Sequence, residues 1–273
     1  MDNKIEPYKD IALIYEEIRP SYPEELINDI LKITNLNYKD KILEIGAGTG
    51  KATVQFADKG YKIDAIEIGK DMGEVLINKC KKYDSNVSIE ITSFEEWNPQ
   101  NTTKYDVIYC AQAFHWLDNN VKYNKCYNLL KDNGFLILFW YNASEEKTEK
   151  TKIINQRVNE TINKYVDNYY DNKKQIERKN HSGIYEEDER KAEIEGTQLF
   201  EIVNKIDYRT EIKNTPKQYL NAKKSVPAFA SILDGMDSGI INNMEKEIED
   251  IINDNGGYVG TLFDYSLYIA KKK

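Results

Sequence analysis

The chain of 273 residues is predicted to be an α/β protein with a doubly wound, mostly parallel sheet and a helical insertion. Three observations predict this. From Lys41 a short apolar run ends in a turn with glycine at 46, 48 and 50, a helical pattern follows, and a second apolar run ends in an acid at Glu67. Apolar runs then keep alternating with helical stripes as far as Tyr141. These runs are apolar throughout rather than at every second residue, which marks strands covered on both faces. Over 144–198 the alternation is lost in a highly charged stretch, and it returns at Phe200.

In chain order, 10–18 reads as a helix broken by Arg19, Pro20, Ser21, Tyr22 and Pro23. Ser21 is placed to cap the next helix, with Pro23 in its first turn. That helix carries Leu26, Ile27, Ile30 and Leu31 at helical spacing. The first strand covers 41–46, the glycine loop opens a helix to Lys59, and Gly60 closes it. A strand at 61–67 leads to a helix at 71–82 carrying Met72, Val75, Leu76 and Cys80. Strands follow at 87–92 and 105–110, then a helix at 118–131 stopped by Asn133 and Gly134, then a strand at 135–141. The charged segment has weak helical stripes (Ile153, Ile154, Val158, Ile162) and reads as a cap over the carboxyl edge of the sheet, or as a solvated arm. After it come a strand at 200–208, helices from Thr215 and over 240–254, a tight turn at Asn255, Gly256 and Gly257, and a last strand at 258–270. The predicted organisation is 1–143 (N-terminal helices and the glycine-loop half), 144–198 (insertion) and 199–273 (completion of the sheet).

Hydrophobic residues at 40% and charged residues at 31% are enough for a core and a solvated surface. The net charge of -8, with Lys and Arg interspersed among acids, speaks against a sequence-nonspecific grip on nucleic acid. The first residues carry no apolar signal region, and no window reaches the roughly 20 apolar residues of a membrane span. Cysteines 80, 110 and 126 are odd in number and lack CxxC spacing, which suits free thiols in a reducing cytoplasm. With His115 and His181 as the only histidines, no metal site is expected. The expectation is a cytoplasmic protein, monomer or homodimer, with a small-molecule partner and no nucleic acid or membrane.

A glycine loop alone is a weak signal. Here a strand precedes it, a helix follows it, and an acid lies about 20 residues on, the layout of a site for a nucleoside-bearing cofactor. Glycine permits positive φ and close backbone approach, amides at the helix start meet anionic groups, and Glu67 can accept from two hydroxyls. A dinucleotide fingerprint would place its third glycine at 51, where the chain has Lys51.

Glu44, Gly46, Gly48 and Gly50, spaced as Glu-x-Gly-x-Gly-x-Gly, resemble the first motif of class I S-adenosyl-L-methionine-dependent methyltransferases. Asp71 and Met72 sit where that family packs the adenine, Ser93 to Trp97 where it meets the adenine edge, and Ala111 to Trp116 where it holds the methionine end and the substrate. Tyr15 and the 19–23 segment, together with Phe114, His115 and Trp116, resemble a small-molecule branch that includes trans-aconitate methyltransferase-like proteins. The resemblance covers 8–142; beyond it only the order of elements matches.

The resemblance implies a Rossmann-like, seven-stranded sheet with its last strand antiparallel. It implies that Glu44 orients the methionine part, that Gly46, Gly48 and Gly50 form the loop, and that Glu67 binds the ribose with Ile68 and Met72 flanking the adenine. It also implies Phe94 and Glu95 at the adenine edge and Gln112 near the sulfonium. Arg19 is a candidate clamp for the cofactor carboxylate. Where the family often has serine two residues after the acid, this chain has Gly69. Tyr15, Tyr22 and Trp116 are candidates for the acceptor site. His115 is the candidate base, with substrate orientation as its other reading.

The implied activity is methyl transfer by direct displacement to a small molecule, with a carboxylate or hydroxyl oxygen favoured. A binding module without turnover and a nicotinamide oxidoreductase are the rivals. RNA methylation fits poorly, because the Asn/Asp-Pro-Pro-aromatic segment of amino-methylating enzymes is absent after the fourth strand.

Overall fold

The computed structural model describes residues 12–99, 103–170, 187–224 and 226–273. Their contacts fall into two compact units. One takes its described residues from Met1–Asn142, Tyr185–Tyr208 and Asp264–Lys273, the other from Ala143–Ile184 and Arg209–Phe263. The segment predicted as one insertion is therefore divided, its first helix going to the second unit and its last to the first. His181 lies outside the described residues.

Among the described residues seven strands form one sheet in the order β3-β2-β1-β4-β5-β7-β6. They are β1 (Ile42–Ile45), β2 (Ile63–Glu67), β3 (Val87–Ile91), β4 (Tyr105–Ala111), β5 (Leu130–Ala143), β6 (Phe200–Asn214) and β7 (Val259–Lys272). β1 to β5 are parallel, with Glu44 of β1 level with Ala65 of β2 and Tyr109 of β4. β7 runs against β5 and β6. The Ser144 N–H donates to the Leu262 carbonyl while Lys272 reaches that of Leu130, and Lys273 N–H meets Leu199 while Asn214 meets Thr261. This is the mostly parallel, doubly wound sheet with a reversed last strand that was expected. Strand order reverses between β1 and β4, and at such a switch point a ligand crevice opens at the strands' carboxyl ends.

In the first unit the helices are α1 (Ala12–Ile18), α2 (Glu24–Thr34), α3 (Lys51–Ala57), α4 (Lys70–Cys80), α5 (Lys122–Leu129) and α7 (Glu187–Gly196). Leu43, Ile45, Ile108, Phe114, Cys126, Leu138, Ile194 and Tyr268 lie in one buried cluster between sheet and helices. The second unit holds α6 (Glu149–Tyr170), α8 (Pro216–Lys224), α9 (Pro227–Leu233) and α10 (Ser238–Asp254), with Ile154, Val158, Met244, Ile248 and Ile252 as its core. No helix among the described residues is long and apolar enough to cross a membrane.

Three local expectations are corrected. Ser21 makes no cap; Pro23 occupies the N-cap position of α2, which has no side-chain cap. The 118–131 helix is shorter: a 3-10 turn at Phe114–Trp116 precedes α5, which ends at Leu129. Asn133 and Gly134 do not stop a helix but form an irregularity inside β5, with Asn133 at φ 65° and the pairing to β4 jumping from Tyr105–Leu130 to Val107–Phe135.

Candidate functional site

The loop after β1 gets its shape from its glycines. Gly46, Gly48 and Gly50 have φ of 68°, 58° and 82°, the left-handed region that costs other residues dearly. A Cβ on Gly46 would stand 2.4 Å from the Ala113 Cβ, and one on Gly50 2.5 Å from Leu76 Cδ1. A Cβ on Gly48 would meet nothing within 4 Å, so the backbone there faces open space. The Gly46 and Ala47 amides both donate to the Ile66 carbonyl, at 2.9 and 3.0 Å, tying the loop to the end of β2.

Glu67 completes that tie. One carboxylate oxygen accepts from the Gly48 N–H and the other from the Gly69 N–H, each at 2.7 Å. The acid that reads in sequence as a ribose acceptor is thus held by two backbone donors, which fix its orientation.

Glu44 is buried. Its Oε2 accepts from Thr53 Oγ1 at 2.5 Å and from Tyr109 Oη at 2.8 Å. Burial, only partly offset by these two hydroxyls, raises its pKa to about 7, and the neighbouring Glu67 charge adds to the rise. A pocket above it is lined by Tyr15, Tyr22, Glu44, Gly46, Ala47, Gly48, Thr49, Lys51, Ala52, Ala111 and Tyr141. Five predicted residues (Tyr15, Tyr22, Glu44, Gly46 and Gly48) are therefore brought to one wall. Tyr22 is buried, edge-on to Phe139 at 4.7 Å and against Tyr141 at 5.9 Å, so it is as much core as wall.

The other predicted residues are placed differently. Arg19 is exposed, with its guanidinium 5.4 Å from the Tyr15 ring. Met72 is buried and Ile68 half-buried at the start of α4. The Phe94 ring is packed in the sheet core under Lys125 rather than facing the pocket. Glu95 turns to accept from the Asp118 N–H at 3.0 Å. Gln112 holds a left-handed φ of 65° and spends its side-chain amide on the Tyr141 carbonyl at 2.9 Å, which fixes the turn beside the pocket.

His115 and Trp116 sit on the 3-10 turn, their rings 4.8 Å apart, the histidine half-buried and the tryptophan exposed. Burial, with Arg190 and Lys122 nearby, depresses the His115 pKa to about 4. The imidazole is neutral at pH 7. The expected result is a kcat profile with no inflection between pH 6 and 7 belonging to this residue, and a His115→Asn variant that keeps cofactor affinity within about twofold while losing turnover. Loss of binding as complete as in a loop-glycine variant would contradict its place on the acceptor side.

Two clusters have no signal in the sequence. Glu16 of α1 reaches across to the loop. It accepts from Thr49 Oγ1 at 2.5 Å and from Lys79 at 2.7 Å, and it pairs with Lys51, whose ammonium also donates to the Glu16 carbonyl at 2.8 Å. Burial pushes the Glu16 carboxyl up, but the hydrogen bonds from Lys79 and Thr49 outweigh it and hold it below the usual range. Beside His115, buried Arg190 of α7 donates to Glu193 at 2.6 Å and lies 5.9 Å from the Phe114 ring, and buried Lys122 shares that carboxylate at 3.5 Å. The partners of Glu16 follow no spacing rule, and Arg190 lies in a charged stretch with no local pattern.

This geometry has counterparts. Residues 42–134 match the methyltransferase domain family. The chain is 32% identical to an uncharacterised methyltransferase of Schizosaccharomyces pombe over 46% of this chain and 49% of the relative. It is 25% identical to a probable S-adenosylmethionine-dependent methyltransferase of Saccharomyces cerevisiae over 52% of this chain and 48% of the relative. The match thus spans about half the length of these relatives. The fold is similar to that of the YcgJ protein of Bacillus subtilis, with a TM-score of 0.53, 18% identity, and coverage of 92% of this chain and 99% of that one. The matched residues run from the start of β1 to Gly134, and so include the glycine loop, Glu67 and His115.

Proposed function

We propose that this protein is an S-adenosyl-L-methionine-dependent methyltransferase acting on a small molecule, with a carboxylate oxygen as the acceptor. The observation that carries the first part is the union of loop and acid: the Gly48 N–H bonded to Glu67 at 2.7 Å, within a matched methyltransferase domain. The residues present fit that cofactor. Open space over the Gly48 backbone admits a close ligand, the Glu67 carboxylate suits a diol, and Glu44 gives the pocket an acidic wall for a cation.

When bound, the cofactor supplies a methyl group activated by a positively charged sulfur. The protein's share is alignment and exclusion of water. Tyr15, Tyr22 and Tyr141 wall the pocket, and Gln112 fixes the turn that carries Ala113 against the loop. The neutral His115, with a pKa of about 4, is a weak base at pH 7. That favours orienting an acceptor over deprotonating one, and a carboxylate arrives already ionised. It also weakens the case for a hydroxyl acceptor, which would need a base. The division of the 144–198 segment supports a cap only in its last part, since α7 brings Arg190 to the side of His115.

The test is a panel of carboxylic acids, alcohols and amines incubated with protein and labelled cofactor, with products read by mass spectrometry. The expected product is a base-labile methyl ester. Methylation confined to amines, or binding without product from any class, would contradict the carboxylate reading.

A further inference from the structure

Glu44 poses a physical problem that its role in holding the pocket does not explain. The side chain is 1% exposed. Among the described residues its hydrogen-bond donors are two neutral hydroxyls, Thr53 from α3 and Tyr109 from β4, both on the same oxygen. A buried carboxylate without a paired cation is costly when ionised. The groups that face it sharpen the point. β2 brings Glu67, a like charge, while β4 adds Tyr109 and Cys110 and the 19–23 segment adds Tyr22, none of them cationic at neutral pH. From α4, Cys80 is neutral and Lys79 acts only at longer range. Lys51, which lines the pocket, and Lys79 are both engaged by Glu16, at 3.5 and 2.7 Å. Yet Glu44 lines the pocket itself, so a ligand seated there supplies its charge next to this carboxylate.

Resting on the cofactor assigned above, we propose that Glu44 is a proton-exchanging charge sensor of the pocket. It loses its proton to solvent when the cationic cofactor binds, and regains one when the sulfur becomes neutral. The balance is simple. The sulfonium arrives with one positive charge, and the Glu44 carboxyl releases one proton and becomes its counter-charge. In the transfer the acceptor lone pair forms the new bond to methyl while the sulfur keeps the electron pair of the broken S–C bond. The product is then a thioether beside an unneutralised buried carboxylate, which takes a proton from water. Protonation removes the attraction that held the cofactor, so the site holds cofactor more tightly than product above neutral pH.

A carboxyl at about 7 in the free protein has a defined linkage sign. Binding that favours its ionised form is proton-releasing, and affinity rises with pH below that value and levels off above it. S-adenosylhomocysteine has the same amino and carboxylate groups and no sulfonium, so the difference between the two ligands isolates the sulfur charge.

The experiment is isothermal titration of the full chain with each ligand, in two buffers of equal pH and different protonation enthalpy. For the cofactor the expected release is roughly half a proton at pH 7, rising toward one at pH 6, with affinity gaining about fivefold from pH 6 to pH 7. For S-adenosylhomocysteine a smaller release is expected. Glu44→Gln keeps an acceptor for Thr53 and Tyr109 and should remove the release for both ligands. Buffer-independent heats with the wild-type protein, or equal release with both ligands, would overturn the proposal whether or not the variant folds. Absence of any binding heat would overturn the cofactor assignment as well, so the two failures are told apart.

Discussion

Gly48→Ala is expected to abolish cofactor binding while costing little stability, whereas Gly46→Ala is expected to damage both. The two glycines have the same backbone sign and differ in what surrounds them. Each alanine pays about 1–2 kcal/mol for the left-handed conformation. At Gly48 that is the whole penalty to the fold, because a Cβ there meets nothing within 4 Å. At Gly46 the methyl would lie 2.4 Å from the Ala113 Cβ, with no flexible side chain to yield, and overpacking adds about 1–3 kcal/mol. The space over Gly48 is also where a ligand would approach the loop, so a methyl group there competes with it directly. Urea unfolding combined with titration calorimetry reads both effects. Equal loss of stability in the two variants, or unchanged affinity in Gly48→Ala, would contradict this account of the loop.

The second large effect belongs to Glu67. Removing its carboxylate in Glu67→Ala takes away the acceptor for ligand hydroxyls and strands the amides of Gly48 and Gly69 that it now satisfies at 2.7 Å. Hydrogen bonds to a charged group are worth about 1.5–3 kcal/mol each, so the loss of two to a ligand is worth about 100-fold or more in affinity. Glu67→Gln keeps one carbonyl acceptor and should recover part of the affinity. Affinity within threefold of wild type in the alanine variant would remove Glu67 from the site.

The residues that were legible in sequence are those whose role is local. Positive φ at 46, 48 and 50 demands glycine, and the acid at the tip of β2 follows from strand length and loop position, so both could be read along the chain. The sheet was legible for the same reason, since runs apolar throughout mark buried parallel strands. Side-chain direction in the turns was not local. Phe94 and Glu95 lie at the expected turn after β3, but the ring turns into the core and the carboxylate turns to the Asp118 amide. The Glu16 cluster joins α1 to Thr49, Lys51 and Lys79, partners 33 to 63 positions away that no spacing rule connects. Asn133 and Gly134 carry the signal of a turn whether a helix ends there or a strand bulges, and only pairing with β4 decides between them. α9 is 7 residues long, too short to build a periodic stripe.

The glycine loop and Glu67 are proposed to form a site for S-adenosyl-L-methionine. Calorimetric titration of the wild-type protein and Glu67→Ala with S-adenosyl-L-methionine, S-adenosylhomocysteine and NADH tests it most directly. Saturable binding of the first two ligands to the wild type, loss of that binding in the variant, and no heat from NADH are expected. Binding of NADH alone, or of none of the three, would contradict that assignment.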